Sequence, residues 1–305
     1  MDRTFARRLW EATETVHAVA HHAPEVRDQV SAVGVPEAWM GRLACRLAPL
    51  GPIEAPVASA LLVGYHPRAV GEVVPEVWYR LAPETALAAQ LHGVDQALWR
   101  LVDTEVRSPE IAALAQLVRR AAESADCEGR PLAAAHQSLD WPTVAHLTLW
   151  HGCTVLREHR GGGHVAALVA EGVSGIHAHV LAVAAGLASP NVQRRERGYR
   201  SEEWRAAVLS AQERGWLSPT GGLTPVGRRI KARIENRTDD RSLQPYESLS
   251  TDETARLIGG LVEFAAKIVA AEGVVFPNAV GLPRPAGRPS DAERSQPGGS
   301  VHTVC

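Results

Sequence analysis

The stretch RRERGYRSEEWRAAVLSAQERGWLSPTGGLTPVGRRIKARIENRTDDR (residues 194–241) decides the fold reading. Ser201 can cap a helix over 202–214. Gly215-Trp216-Leu217 follows, and Ser218-Pro219-Thr220-Gly221-Gly222 is a turn-forming run. After Leu223, Thr224 is a suitable cap and Pro225 a suitable first position for a further helix to about Glu235. Helix, short hairpin, helix is the order of a winged-helix unit. Charge sets the stretch apart as well. It holds 12 Arg and Lys against 7 Asp and Glu, a local excess of about 5 in a chain of net charge −2.

Upstream, helical periodicity dominates. Phe5, Leu9, Ala12 and Val16 form one apolar stripe. Residues 84–102 repeat the pattern through Leu87, Leu91, Val94, Leu98 and Leu101. At 108–122, Ser108 caps, Pro109 opens, and Ile111, Leu114, Leu117 and Val118 make the inner face. Residues 141–159 and 164–187 read as two buried helices. The triple glycine Gly161-Gly162-Gly163 between them predicts a turn. Prolines at 36, 49, 52, 56, 67, 75 and 83 cut residues 35–83 into short helices and turns. No alternating strand run and no internal repeat occurs.

Downstream, Ser250 and Glu253 make a capping box ahead of a helix to about Ala271. From Pro283 the composition shifts to proline, glycine and mixed charge, a tail with nothing to bury. The expected architecture is mostly α. A helical domain spans 1–187, a winged-helix-like module with a short β-hairpin and closing helix spans 188–282, and a disordered tail spans 283–305.

Composition narrows the function classes. With 45% hydrophobic residues in 305, the chain can bury a core. Its net charge gives no global field for nucleic acid, so any such contact must be local. Only Lys231 and Lys267 are lysine among 32 basic residues, a usage that fits a GC-rich genome. Cys45, Cys127, Cys153 and Cys305 form no C-x-x-C and suggest no disulfide scaffold. The charged start MDRTFARRLWEATETV has no signal-peptide core, and no 18-residue apolar run occurs. A cytoplasmic protein without a membrane partner is expected.

The stretches VHAVAHHAPEVRD, APLGP, YHP, LWHGCTVLREHRGGGHVAAL, RGWLSPTGGLTPVGRRIKARIENRTD and FPNAVGLPRP carry a resemblance. They run from residue 16 to 285, and the chain resembles a family of actinobacterial helix-turn-helix proteins of largely unassigned function. The resemblance implies a helical N-terminal region and a winged-helix module similar to MarR regulators. It implies no activity. Sequences of that kind end near the element matched here by Ala279-Val280-Gly281-Leu282, and this chain continues beyond it.

A DNA reader of this form would lay helix 202–214 in the major groove and the hairpin 216–224 on the flanking backbone. Arg200, Arg205 and Arg214, with Arg228 and Arg229 from the next helix, are the candidate DNA contacts. Two features oppose this: the wing tip carries no Arg or Lys, and the helix opens with Glu202 and Glu203. The alternative is a winged helix used for packing or protein contacts.

His151, His159 and His164 cluster with Glu158, chemistry suited to a metal or to acid–base work. Their spacing matches no helix pair of ligands, and no H-E-x-x-H occurs. The plainer reading makes them capping histidines around the glycine turn, with no metal. Cys153, two residues from His151, points to another helix side and reads as a buried structural thiol. No nucleophile elbow, Walker loop or dinucleotide fingerprint is present, so neither catalysis nor a cofactor is expected.

The tail ends Gly298-Gly299-Ser300-Val301-His302-Thr303-Val304-Cys305, which resembles the end of a ribosomal peptide precursor. Dehydrated Ser300 or Thr303 would be an electrophilic alkene. A decarboxylated Cys305 enethiol would close on it as an aminovinyl-cysteine thioether ring. Gly298 and Gly299 would be the cleavage point, and 300–305 the core peptide. The plainer reading is an idle tail.

Three readings follow, in order. The first is a modified-peptide precursor whose folded part serves as leader. Its partners would be a dehydrating phosphotransferase, a flavin-dependent cysteine decarboxylase and a protease. The second is a transcriptional regulator binding duplex DNA through 194–241, with the helical region as ligand sensor. The third is an enzyme or metal binder at the histidine cluster. Oligomeric state stays open, with a homodimer the form winged-helix regulators commonly take.

Overall fold

The computed structural model describes residues 1–278 and 280–283, and no strand occurs among them. Helix α1 (Arg3–His22) begins where Asp2 accepts the Phe5 N–H at 2.8 Å, and it buries Leu9, Ala12 and Val16 as its stripe predicts. Helix α2 (Pro24–Ala32) follows directly. The proline-rich region forms the expected short pieces: α3 (Ala38–Leu47), α4 (Ala55–Leu61), α5 (Pro67–Gly71) and α6 (Glu76–Arg80). Helices α7 (Pro83–Val102) and α8 (Pro109–Glu123) match their periodic segments, and Ser108 caps α8 by accepting from Ile111 N. After α9 (Pro131–Gln137) comes the axis of the molecule, α10 (Ala145–Ala170).

Helix α10 corrects the expectation of a glycine turn. It runs unbroken through Gly161-Gly162-Gly163. Tertiary packing overrides the low helix propensity of glycine here. A Cβ on Gly162 would stand 2.7 Å from Arg130 Cγ, so the missing side chain is what admits Arg130 against the helix. His159 and His164 therefore sit inside a helix and cap nothing.

The last third holds α11 (Gly175–Ala184), α12 (Pro190–Glu196), α13 (Ser201–Glu213), α14 (Pro225–Arg241) and α15 (Thr251–Ala270). Thr224 caps α14 through Gly227 N, and Ser250 with Glu253 forms the capping box of α15. Helix α14 runs six residues past the expected Glu235.

The expected β-hairpin wing does not form among the described residues. Residues 216–224 make a tight turn with a single antiparallel bridge, Leu217 to Leu223. Only Trp216-Leu217 and Leu223-Thr224 flank the five turn residues. Pro219 offers no N–H and Pro225 already opens a helix, so no ladder can propagate.

Three apolar clusters fill the fold. The largest joins α1, α7, α8, α10 and α15, where Leu257, Leu261, Phe264 and Ile268 form the buried stripe of α15. Each such side chain contributes about 1.5–3 kcal/mol by leaving water. The second joins α3, α5, α6 and α7. The third joins the end of α10 to α11, α13, Trp216, Leu217 and α14. Among the described residues no single helix is long and apolar enough to cross a membrane. Gly298, Gly299, Ser300, Thr303 and Cys305 lie outside the described residues, as does the expected disordered tail beyond Pro283.

Candidate functional site

Helices α11 and α13 pack into a cluster shared with the end of α10 and with α14. Trp204, Ala207, Val208 and Ala211 of α13 turn inward. Glu202, Arg205, Ala206, Leu209 and Glu213 are left facing solvent. Gly198 makes the turn between α12 and α13 at φ +75°, a backbone that suits glycine. Arg200, Arg205, Arg214, Arg228 and Arg229 are all exposed on this module. Two are also tied back to it. Arg214 lies 4.8 Å over the Trp216 ring and donates to Gly172 O at 3.3 Å, and Arg228 donates to Leu223 O at 2.7 Å.

The module is docked onto the α4–α5 loop. His66 N–H donates to Arg197 O at 2.8 Å and Arg68 Nη2 donates to Gly198 O at 3.0 Å. His66 Nε2 lies 3.1 Å from Glu203 Oε1. His179 Nε2 pairs with Gly64 O at 2.9 Å. Contact is so close that a Cβ on Gly175 would fall 1.7 Å from Val63 O.

Between module and helical region lies a cavity of about 920 Å³. Its floor is a buried ionic network. Arg46 grips Glu158 with Nε and Nη2 at 2.9 and 3.1 Å, and Arg157 Nη1 reaches the same carboxylate at 2.6 Å. Arg157 Nε turns the other way, 3.2 Å from Glu14 Oε2. Burial alone would raise the Glu158 pKa, yet Arg157 and Arg46 outweigh it and hold the carboxyl well below the usual range. A second anchor is Asp239, fully buried, which accepts from Arg7 Nε and Arg160 Nη2, both at 2.8 Å. Tyr65 lines the same space with Arg197 4.6 Å over its ring. Burial pushes its hydroxyl up, but Arg197, Arg46, Arg157 and Arg42 together leave it lowered.

The three sequence-selected histidines are not brought together. His151 packs edge-on against Trp141 at 4.7 Å. His159 is buried beside the backbone of Asp126. His164 Nδ1 faces Thr238 Oγ1 at 3.1 Å. Burial pulls all three below 6.5, His151 and His159 to about 4, so those two are neutral near pH 7. Among the described residues no three His, Cys, Asp or Glu converge as metal ligands. Cys153 is fully buried, and that burial pushes its thiol up.

Sequence reading missed Arg46, Glu14, Tyr65 and the role of Arg157-Glu158. A signal was present. Arg157, Glu158 and Arg160 are the only Asp, Glu, Lys or Arg in a 26-residue helix, and charges on a largely buried helix must be paired or line a polar space.

No curated protein and no solved structure matches the chain. A sequence profile described as a helix-turn-helix family matches residues 6–276. That span covers both the helical region and the α11–α14 module, and the chain belongs to this helix-turn-helix family.

Proposed function

We propose that the protein is a DNA-binding transcriptional regulator, used in the manner of MarR-like winged helices, with the helical region as its sensing part. The observation that supports this best is the outward stripe of α13. The inner face of this helix, Trp204, Ala207, Val208 and Ala211, packs into the cluster shared with α10, α11 and α14, while Arg205, Ala206 and Leu209 face solvent. A second helix presented in this way is what major-groove reading requires. Arg200, Arg228 and Arg229 supply cations for the flanking phosphates. Duplex DNA is the partner. The turn over 216–224 carries no Arg or Lys at its tip, so sequence readout is left to α13.

The peptide-precursor reading rests on residues outside those described and outside the matched 6–276, so the family relationship lends it no support. The test of the regulator reading is selection from a random-sequence duplex pool with the full chain. One enriched motif is expected, and R205A is expected to relax one or two base positions within it. A pool that emerges unenriched overturns the reading.

A further inference from the structure

We propose that the cavity between the helical region and the helix-turn-helix module binds an amphipathic organic anion: an apolar body bearing one carboxylate or phosphate. This deepens the sensing half of the function proposed above. Its test uses no DNA, so either half can fail alone.

Size comes first. About 920 Å³ lies within the range of sites that enclose a drug-sized molecule. Charge comes second. Seven basic side chains line the space against four acidic ones, a formal excess of three positive charges. The chain as a whole carries −2, so this excess is a local feature. Part of the basic charge is already neutralised by Glu158, Glu14 and Asp239.

Arg130 and Arg160 each have a donor to spare. Arg130 spends Nη1 on the carbonyls of Asp126 and Glu128, and Arg160 spends Nη2 on Asp239. Arg130 Nη2 and Arg160 Nη1 accordingly have no acceptor among the described residues, and neither is shielded from water. Both residues line the cavity, so these leftover donors are within reach of an anion held there. The Arg130 stem lies against Gly162 of α10, and Arg160 projects from the same helix into the lining of the same cavity. An anion held by either would take charge-assisted hydrogen bonds from guanidinium donors.

Apart from Tyr65, His164, His179 and Gln193, the rest of the lining is largely apolar. Leu61, Val165, Leu181, Ala182 and Leu187 bound the same space and offer nothing to a polyanion or sugar. An apolar body with one charged end satisfies both halves. The position also suits a sensor: the lining comes from α1, α10 and α14 together with α11 of the module.

The test is titration calorimetry of the full chain with 1-naphthylacetate, 1-naphthyl phosphate and the neutral 1-naphthylacetamide. At least one anion is expected to bind about tenfold or more tightly than the amide. The comparison of acetate with phosphate assigns the anion class. R130Q removes a guanidinium bonded only to backbone carbonyls and is expected to weaken the anion about tenfold without changing the circular dichroism. A182F, which fills the apolar half, is expected to weaken all binding. Equal affinity for anion and amide overturns the proposal. So does an absence of binding by all three probes, or full affinity retained in both variants.

Discussion

His66 Nε2 sits 3.1 Å from Glu203 Oε1, and this pair joins the helical region to the first turn of the helix that faces solvent. Arg68 backs it, 3.8 Å from the other carboxylate oxygen. The residues by which a groove-reading helix would enter DNA are therefore held by the α4–α5 loop. The Glu203 carboxylate is kept low first by the Arg200 backbone N–H, 2.6 Å away, then by His66 and Arg68.

Glu203→Gln should raise duplex affinity about three- to tenfold, because it removes an anion facing phosphates and loosens the clamp. Fluorescence anisotropy with a selected duplex reads this. Lower affinity in E203Q, with its fold intact, would contradict the account.

The glycines of α10 separate a helix from a turn. Gly161 meets only Glu158 Oε2 at 3.7 Å, so G161A should stabilise by about 0.5–1 kcal/mol as a helix-interior change. G162A meets Arg130 at 2.7 Å and should gain less or lose stability. At the module contact, G175A has a backbone carbonyl at 1.7 Å and should cost more than about 2 kcal/mol. Urea unfolding of the three variants checks the order.

Stability should fall on mild acidification. Burial holds His136, His151 and His159 at about 4, against an ordinary 6.5. Between those values the unfolded chain takes up protons that the folded chain refuses. Stability is fullest above 6.5 and declines toward 4 by up to about 1.4 kcal/mol per pH unit for each histidine. Glu158 acts in a lower window. Its lowered pKa lends stability above the ordinary carboxylate value of 4.5 and loses it only as pH falls below that. The urea midpoint should be clearly lower at about pH 5.5 than at about pH 7.5. Equal midpoints would argue against neutral buried histidines.

For a regulator, the C-terminal fragment 283–305 isolated from the native host should have its encoded mass. Loss of water with loss of the terminal carboxyl group would instead favour the peptide-precursor reading of Ser300, Thr303 and Cys305.

Local signals carried much of the fold. Ser108-Pro109, Thr224-Pro225 and the Ser250–Glu253 box each open the helix their chemistry predicts, because caps act within one turn of chain. The signals that misled depend on distant partners. Gly161-Gly162-Gly163 reads as a break until Arg130, thirty residues earlier, is seen to need the space. The wing reads as a hairpin until the two-residue arms prove too short for a ladder. Of the site, the exposed arginines of 194–241 were legible as a basic segment. The cavity was not, because Arg46, Tyr65, Arg130 and Arg197 come from separate elements that only the fold assembles.

The most direct measurement is the salt dependence of duplex binding by the wild type and by R228A/R229A. The account predicts steep loss of affinity with salt in the wild type. In the double variant it predicts a log–log slope shallower by about two, near 0.9 for each phosphate contact removed. No duplex binding at low salt, or identical slopes, would contradict the claim that this helix-turn-helix module works on DNA.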